Sequence, residues 1–331
     1  MPRAGSRVAL ALFLTTCLAP LLPCLAAAGE QDAPSHFPRP SVLQPNVDFW
    51  RQVYTEYGLE DFILHDRENM AVIYEVVRVA ATANQARAAE MAKSEIQRVR
   101  AQYEGIVKAL AEGQAPETLG TEAVEVFRLW GCPCPAEALQ RAAANIRVQQ
   151  GLRQKVEEGL RRAVKLMPRI LSILRKHEVP EELAALPLVE SSFNPAARSK
   201  AGAVGMWQFI KQTGKQYLTI SRKRDDRRDP IRSTDAAARL LKHNYQSLGS
   251  WPLAITAYNH GKEGIRAARE AVGSGAIEDI ILRYTGPRFG FASRNFYAEF
   301  LAALDVLSPL IQEHGKATSQ PRPSPRGLRE G

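Results

Sequence analysis

The chain has 331 residues, 45% of them hydrophobic and 24% charged, which fits a globular protein of one large or two ordinary domains. Its formal charge of +9 and pI near 9.5 favour anionic partners: nucleic acid, a membrane surface or an acidic wall polymer. No segment after the first 28 residues is long and apolar enough to span a bilayer as a helix.

The amino terminus reads as an export signal over residues 1–28. Arg3 and Arg7 precede an uncharged apolar run from Val8 to Leu25, and Ala26 and Ala28 supply a small-x-small cleavage pattern. The rival reading is a membrane anchor, but Pro20 and Pro23 interrupt the run. A lipid anchor is disfavoured, because Pro23 stands before Cys24 where a small residue is needed, and Cys17 lies inside the apolar run. The expected location is therefore periplasmic, with association to the envelope left open. An exported protein does not meet the chromosome, so nucleic acid is excluded as a partner. Cys132 and Cys134 stay open between a strained disulfide and two plain thiols. The six histidines show no metal-ligand spacing, and no metal or other cofactor is expected.

Residues 29–45, rich in proline and polar residues, read as a linker. A helical amino-terminal region follows over 46–174. Phe49, Val53 and Tyr57 recur every four residues and end at Gly58. The β-branched runs at Phe62–Leu64 and Ala71–Val79 allow a short hairpin. Helices are expected at 81–110, 121–130, 136–150 and 151–164, the last with Leu152, Val156 and Leu160 on one face, and Pro168 opens another through Lys176. Further on, Thr234 can cap a helix to Leu248, Pro252 can start one ending near Tyr258, and Ser293 can start one that Pro309 stops. Residues 311–331 read as a disordered tail.

Chemistry concentrates after Pro180. Glu190 follows the apolar run Leu183–Val189 and precedes a polar turn, Ser191-Ser192-Phe193-Asn194-Pro195. Pro187 bends or ends the helix near it. A carboxyl held among apolar side chains is desolvated, its pKa rises, and it can serve as a general acid near neutral pH. Alone, such a glutamate is more often a surface residue at a helix end. Three further motifs change that weighting: Gly205-Met206-Trp207-Gln208-Phe209, Ala257-Tyr258-Asn259-His260-Gly261 and Ser293-Arg294-Asn295-Phe296-Tyr297.

Together, and in this order, these motifs resemble those of the family of Slt-type lytic transglycosylases and goose-type lysozymes. Within it they are most like the group typified by membrane-bound lytic murein transglycosylase D, without that group's LysM repeats. The resemblance covers residues 147–307 and extends loosely to 45–80. It implies a mainly α fold, with a lysozyme-like transglycosylase domain over 175–310 preceded by the helical region. It also implies that Glu190 is the single acid/base catalyst, and that Ser191, Gly205, Met206, Gln208, Tyr258, Asn259 and Tyr297 bind substrate. Phe296 stands where the family has its late tyrosine, so either Phe296 or Tyr297 faces the site. The implied reaction cleaves the β-1,4 bond between N-acetylmuramic acid and N-acetylglucosamine and forms 1,6-anhydromuramic ends. The implied partner is the peptidoglycan glycan strand, and other wall proteins stay open. A hydrolase on the same fold, or a wall-binding scaffold, is the alternative.

Overall fold

In the computed structural model, residues 35–79, 85–131 and 136–317 are described. The signal segment and the Cys132-Pro133-Cys134 stretch lie outside them, as do residues 318–331. The architecture is mainly α. Helix α1 (Gln44–Thr55) leads into strands β1 (Asp61–Asp66) and β2 (Ile73–Arg78). Helices α2 (Gln85–Ala111), α3 (Pro116–Leu119), α4 (Thr121–Trp130) and α5 (Ala136–Asn145) come next, then strand β3 (Ile146–Gln150). The remainder is helical: α6 (Arg153–Lys176), α7 (Leu186–Ser191), α8 (Lys211–Gly214), α9 (Pro230–Leu248), α10 (Trp251–His260), α11 (Lys262–Val272), α12 (Ile277–Arg283) and α13 (Phe291–Ala317). Among the described residues no helix is long and apolar enough to cross a membrane.

The three strands form one antiparallel sheet in the order β2-β1-β3, with Ile63 opposite Val76 and His65 opposite Arg147. Because side chains alternate along a strand, β1 serves two cores. Leu64 joins Tyr74, Val107, Val126, Leu139 and Ile146 in a core under α2, α4 and α5. Ile63 points the other way, into the main core, with Phe49, Val53, Met167, Trp207 and Phe300. The expected hairpin is therefore β1–β2. The helix expected through Gln150 instead ends at Asn145, and β3 replaces its last residues. Ile146 and Val148 gain more by pairing with β1 and burying against α2 than by extending a helix.

Helix α6 runs unbroken through Pro168, so the boundary expected at residues 174 and 175 falls inside one helix. Proline costs a helix interior about 3 kcal/mol. Met167, Ile170, Leu171 and Leu174, all fully buried, repay more than that. Likewise α13 passes through Pro309 to Ala317, held by buried Leu307 and Ile311, so residues 311–317 are helix rather than tail.

The described part of the expected linker is not loose. Phe37 is buried against Trp251 and Phe300, and Arg39 pairs with Asp305 on α13. Asn46 and Trp50 of α1 both donate to the Asn295 side chain of α13, at 2.9 and 3.3 Å. The cap of α9 is Asp229, which accepts from the backbone of Ile231 and Arg232, rather than Thr234.

Candidate active site

Helix α7 is short because both ends are fixed by sequence. Pro187 occupies its first turn, where the missing N–H leaves no bond unmade. At the other end Ser192 and Phe193 take left-handed backbone (φ 51° and 58°). Non-glycine residues rarely adopt this, and neighbours must hold it. Here Arg162 of α6 donates twice to the Ser192 carbonyl, at 2.9 and 3.2 Å. Gly159, one turn earlier on α6, lets that carbonyl come close: a Cβ there would lie 2.9 Å from it. Phe193 is fully buried. Glu190 thus sits on the last turn of a helix clamped from below.

Glu190 is half-buried. One side remains accessible, while protein surrounds the rest of the carboxyl and strips most of its water. That desolvation, reinforced by the charge of Glu299, pushes its pKa up to about 8. Tyr54 of α1 and Tyr258 of α10 both lie within electrostatic reach of Glu190. Burial raises each phenol well above its ordinary value, helped by Glu299 and Glu190 at Tyr54 and by Glu190 at Tyr258.

The loop carrying Gly205–Phe209 packs beside α7. Ser191 donates to the Met206 carbonyl at 2.8 Å and accepts from the Asn194 backbone. Trp207 is the hub: its indole donates to Thr234 of α9 at 2.9 Å, and its carbonyl accepts from the Tyr258 hydroxyl at 2.7 Å. Gln208, itself left-handed at φ 47°, donates its side-chain amide to the Gly205 carbonyl and keeps its carboxamide oxygen free of that bond. Asn259 is exposed and accepts from Ser293 of α13, whose hydroxyl also lies 3.1 Å from the His260 ring.

Three expected site residues are also tied into the fold. Met206 is fully buried and presents only its carbonyl, to Ser191. At Gly205 (φ 86°) a Cβ would stand 1.7 Å from the Arg227 carbonyl, so the close approach this glycine permits is by the chain's own backbone. Tyr297 is fully buried and donates to the Pro38 carbonyl at 2.8 Å, which commits its hydroxyl to the amino-terminal strap. Phe296 is buried as well. The acids near the motifs are also committed: Asp225 pairs with Arg227, and buried Asp226 pairs with Arg224 and Arg232. Those partners hold both carboxyls below the usual range.

Sequence reasoning missed Glu299. It lies on α13, two turns after Phe291 and one after Asn295, on the face that meets α1. It too is half-buried, and desolvation pushes its pKa up to about 8, while Arg147 of β3 pulls the other way. Arg147 is exposed and lies over the Phe291 ring, 4.0 Å from its centroid. The 291-295-299 spacing was visible as one helix face, but nothing local marks its last member as a neighbour of Glu190. Among the described residues no group of three or more His, Cys, Asp or Glu is arranged to hold a metal ion.

The site thus combines two half-buried carboxyls, two desolvated phenols and a left-handed glutamine at the end of a short clamped helix. Residues 171–281, which contain α7, the Trp207 loop and α10, match the family model described as the transglycosylase SLT domain. Over these residues the chain is similar to an SLT domain. Membrane-bound lytic murein transglycosylase D of Escherichia coli (strain K12) is 41% identical over 109 residues, 32% of this chain. The protein of the same name from Escherichia coli O6:H1 gives the same figures. The chain spans 24% of the length of these curated relatives. Among solved structures, the 70 kDa soluble lytic transglycosylase SLT70 from Escherichia coli aligns with a TM-score of 0.36 at 15% identity, covering 67% of this chain and 44% of that one. The SLT match ends before α13, so Glu299 lies outside it, as do Tyr54 and Arg147.

Proposed function

We propose that this protein is an exported peptidoglycan lytic transglycosylase, that it cleaves between N-acetylmuramic acid and N-acetylglucosamine, and that Glu190 is its acid/base catalyst. The observation that carries this reading is a desolvated, half-accessible carboxyl at the end of α7, within the segment matched by the SLT family. A carboxyl with a pKa near 8 is still largely protonated at neutral pH and can donate its proton.

Glu190 protonates the glycosidic oxygen as the C1–O bond breaks. The acetamido carbonyl oxygen of the muramic residue bonds to C1 and forms an oxazolinium-like intermediate. Glu190, now a carboxylate, takes the proton of the 6-hydroxyl. That oxygen bonds to C1 while the acetamido oxygen leaves, closing the 1,6-anhydro ring. Water is neither consumed nor released. The free carboxamide oxygen of Gln208 and the exposed amide of Asn259 are placed to bind acetamido groups. The net positive charge suits an acidic wall polymer.

Glu299 favours a second reading, because two carboxyls are what a hydrolytic glycosidase uses. Mass spectrometry of the products separates the two. Transglycosylation yields muropeptides one water lighter than hydrolysis does, and products that are all hydrated would establish the hydrolase. Glu190→Gln should lower glycan release at least a hundredfold while peptidoglycan pull-down is retained. Activity above one-tenth of wild type would remove Glu190 from the mechanism.

A further inference from the structure

A second opening lies away from the four motifs. The carboxy-terminal half of α6, the turn after α8 and the amino-terminal half of α9 border an open cavity of about 530 Å³. That size suits a small ligand. On α9, Ile231, Asp235 and Arg239 recur every four residues and line the cavity, whereas Thr234 turns inward to the Trp207 indole. Half-buried Ile173, Tyr217 and Leu218 supply apolar wall. None of the lining residues belongs to the four motifs.

Four cations face two acids there: Lys176, Lys215, Arg232 and Arg239 against Asp226 and Asp235. The acids are spent on aiming the arginines. One oxygen of Asp235 meets the His177 ring at 2.7 Å and the other accepts from Arg239 at 3.0 Å. Buried Asp226 accepts from Arg224 on both oxygens, from Arg232 on one and from the Thr219 amide on the other. A second donor of Arg239 holds the Tyr217 carbonyl at 2.8 Å, which ties the turn to α9. What remains uncommitted is positive. Lys176 and Lys215 are exposed, and among the described residues neither side chain makes an ion pair or a hydrogen bond. A cationic ligand would find both carboxylates already engaged, while an anion meets four positive side chains, two of them held in place.

We propose that this cavity binds the free carboxylate end of a short wall peptide, and so holds peptidoglycan at a second point besides the glycan site at Glu190. The walls select the ligand. Inorganic phosphate would meet the cations and leave the apolar side unused, whereas a peptide of small residues brings methyl groups beside its carboxylates. The proposal rests on the reading of the protein as a peptidoglycan enzyme, because peptide and glycan are then parts of one polymer. Binding the peptide makes the glycan contact intramolecular, so even a weak peptide site raises the effective concentration of glycan at Glu190.

The first measurement is calorimetric titration of the full chain with a glycan-free wall tetrapeptide, and with the same peptide amidated at every carboxyl. The free acid should bind, and amidation should weaken it about tenfold. Lys176→Gln combined with Lys215→Gln should weaken the free acid about tenfold as well. Both lysines are exposed and unpartnered, so the double variant keeps its fold. The second measurement is turnover of soluble peptidoglycan fragments, with their peptides and after an amidase has stripped them. The double variant should raise KM about tenfold on the peptide-bearing fragments with kcat kept, and change neither constant on the stripped glycan. An equal rise on both substrates, or no rise on either, overturns the proposal. So does orthophosphate that binds as tightly as the peptide, which would make the cavity a general anion site. Loss of binding to phosphatidylglycerol vesicles in the double variant, with peptide binding intact, overturns it too and marks a membrane contact. The two readings fail separately. Wild-type protein that binds the tetrapeptide but turns over neither substrate sinks the enzymatic reading, whereas turnover without tetrapeptide binding sinks only this site.

Discussion

The two hydrophobic cores are assembled from the chain in opposite ways. The core under the sheet draws on one continuous stretch, from Leu64 to Ile146. The core around Glu190 draws mainly on both sides of that stretch, from Phe37 to Ile63 and from Val156 to Ile311, with buried Met70 added from within it. The sheet lobe is thus an insertion in the chain, while the body that holds the motifs is split by it. A match to the motif-bearing segment therefore does not delimit a folding unit. Residues 171–281 begin inside α6 and stop before α13, and they omit α1 altogether.

The sharpest way to break this comparison is to remove what the motif segment lacks. A chain beginning at Arg175 would lose α1 and nearly all of α6, including Val156, Ala163, Met167, Ile170, Leu171 and Leu174. We expect it to show no cooperative unfolding transition and no activity. A stable, active fragment would make the body self-sufficient. Leu64→Ala in the sheet core should cost about 2–5 kcal/mol. Its denaturant midpoint should shift equally by tryptophan fluorescence and by activity, because Ile63 ties the same strand to the body. Separate midpoints would mean that the insertion melts independently.

Glu190→Gln tests the junction itself. The pKa of Glu190 is raised on folding, so the folded protein binds the proton more tightly than the unfolded chain. Its destabilising effect is absent below the unfolded pKa near 4.5, grows as pH rises, and is complete above the folded value of about 8. The Gln variant should therefore melt a few degrees higher than wild type at pH 8–9, and at the same temperature at pH 4. A variant less stable at pH 8–9 would mean that the ionised carboxylate is well paired, contrary to the desolvated site described above. The smallest effect belongs to Tyr297→Phe. Losing the bond to Pro38 should cost about 1 kcal/mol and leave the rate on peptidoglycan unchanged. A tenfold loss of rate would return Tyr297 to the site.

Legibility in the sequence followed the range of the interaction. Local signals were readable: the α4 limits at Thr121 and Trp130, the Gly249 stop of α9, and a helix end close to Glu190, although Pro187, expected to bend or end that helix, instead opens α7. Glycine and proline misled where tertiary packing outweighed propensity. Pro168 and Pro309 sit mid-helix because apolar neighbours on both sides are buried. Gly205 carries a family motif and also lets the Arg227 carbonyl approach, and no sequence pattern shows that backbone contact. Glu299 was unreadable for a different reason. Its meaning depends on Glu190, 109 positions earlier, and on Arg147, 152 positions earlier.

The pairing of the first described helix with the last has a consequence in time. Asn46 and Trp50 close on Asn295, and Phe37 on Phe300, across separations near 250 residues. Contacts this distant along the chain form late, because the entropy of closing so large a loop must be met first. During synthesis α13 emerges after the other described helices, and until it docks Glu299 is not brought to the α7 junction. A nascent or partly threaded chain therefore carries every residue of the SLT match without a finished site. The topology itself delays completion of the candidate site until α13 has been made.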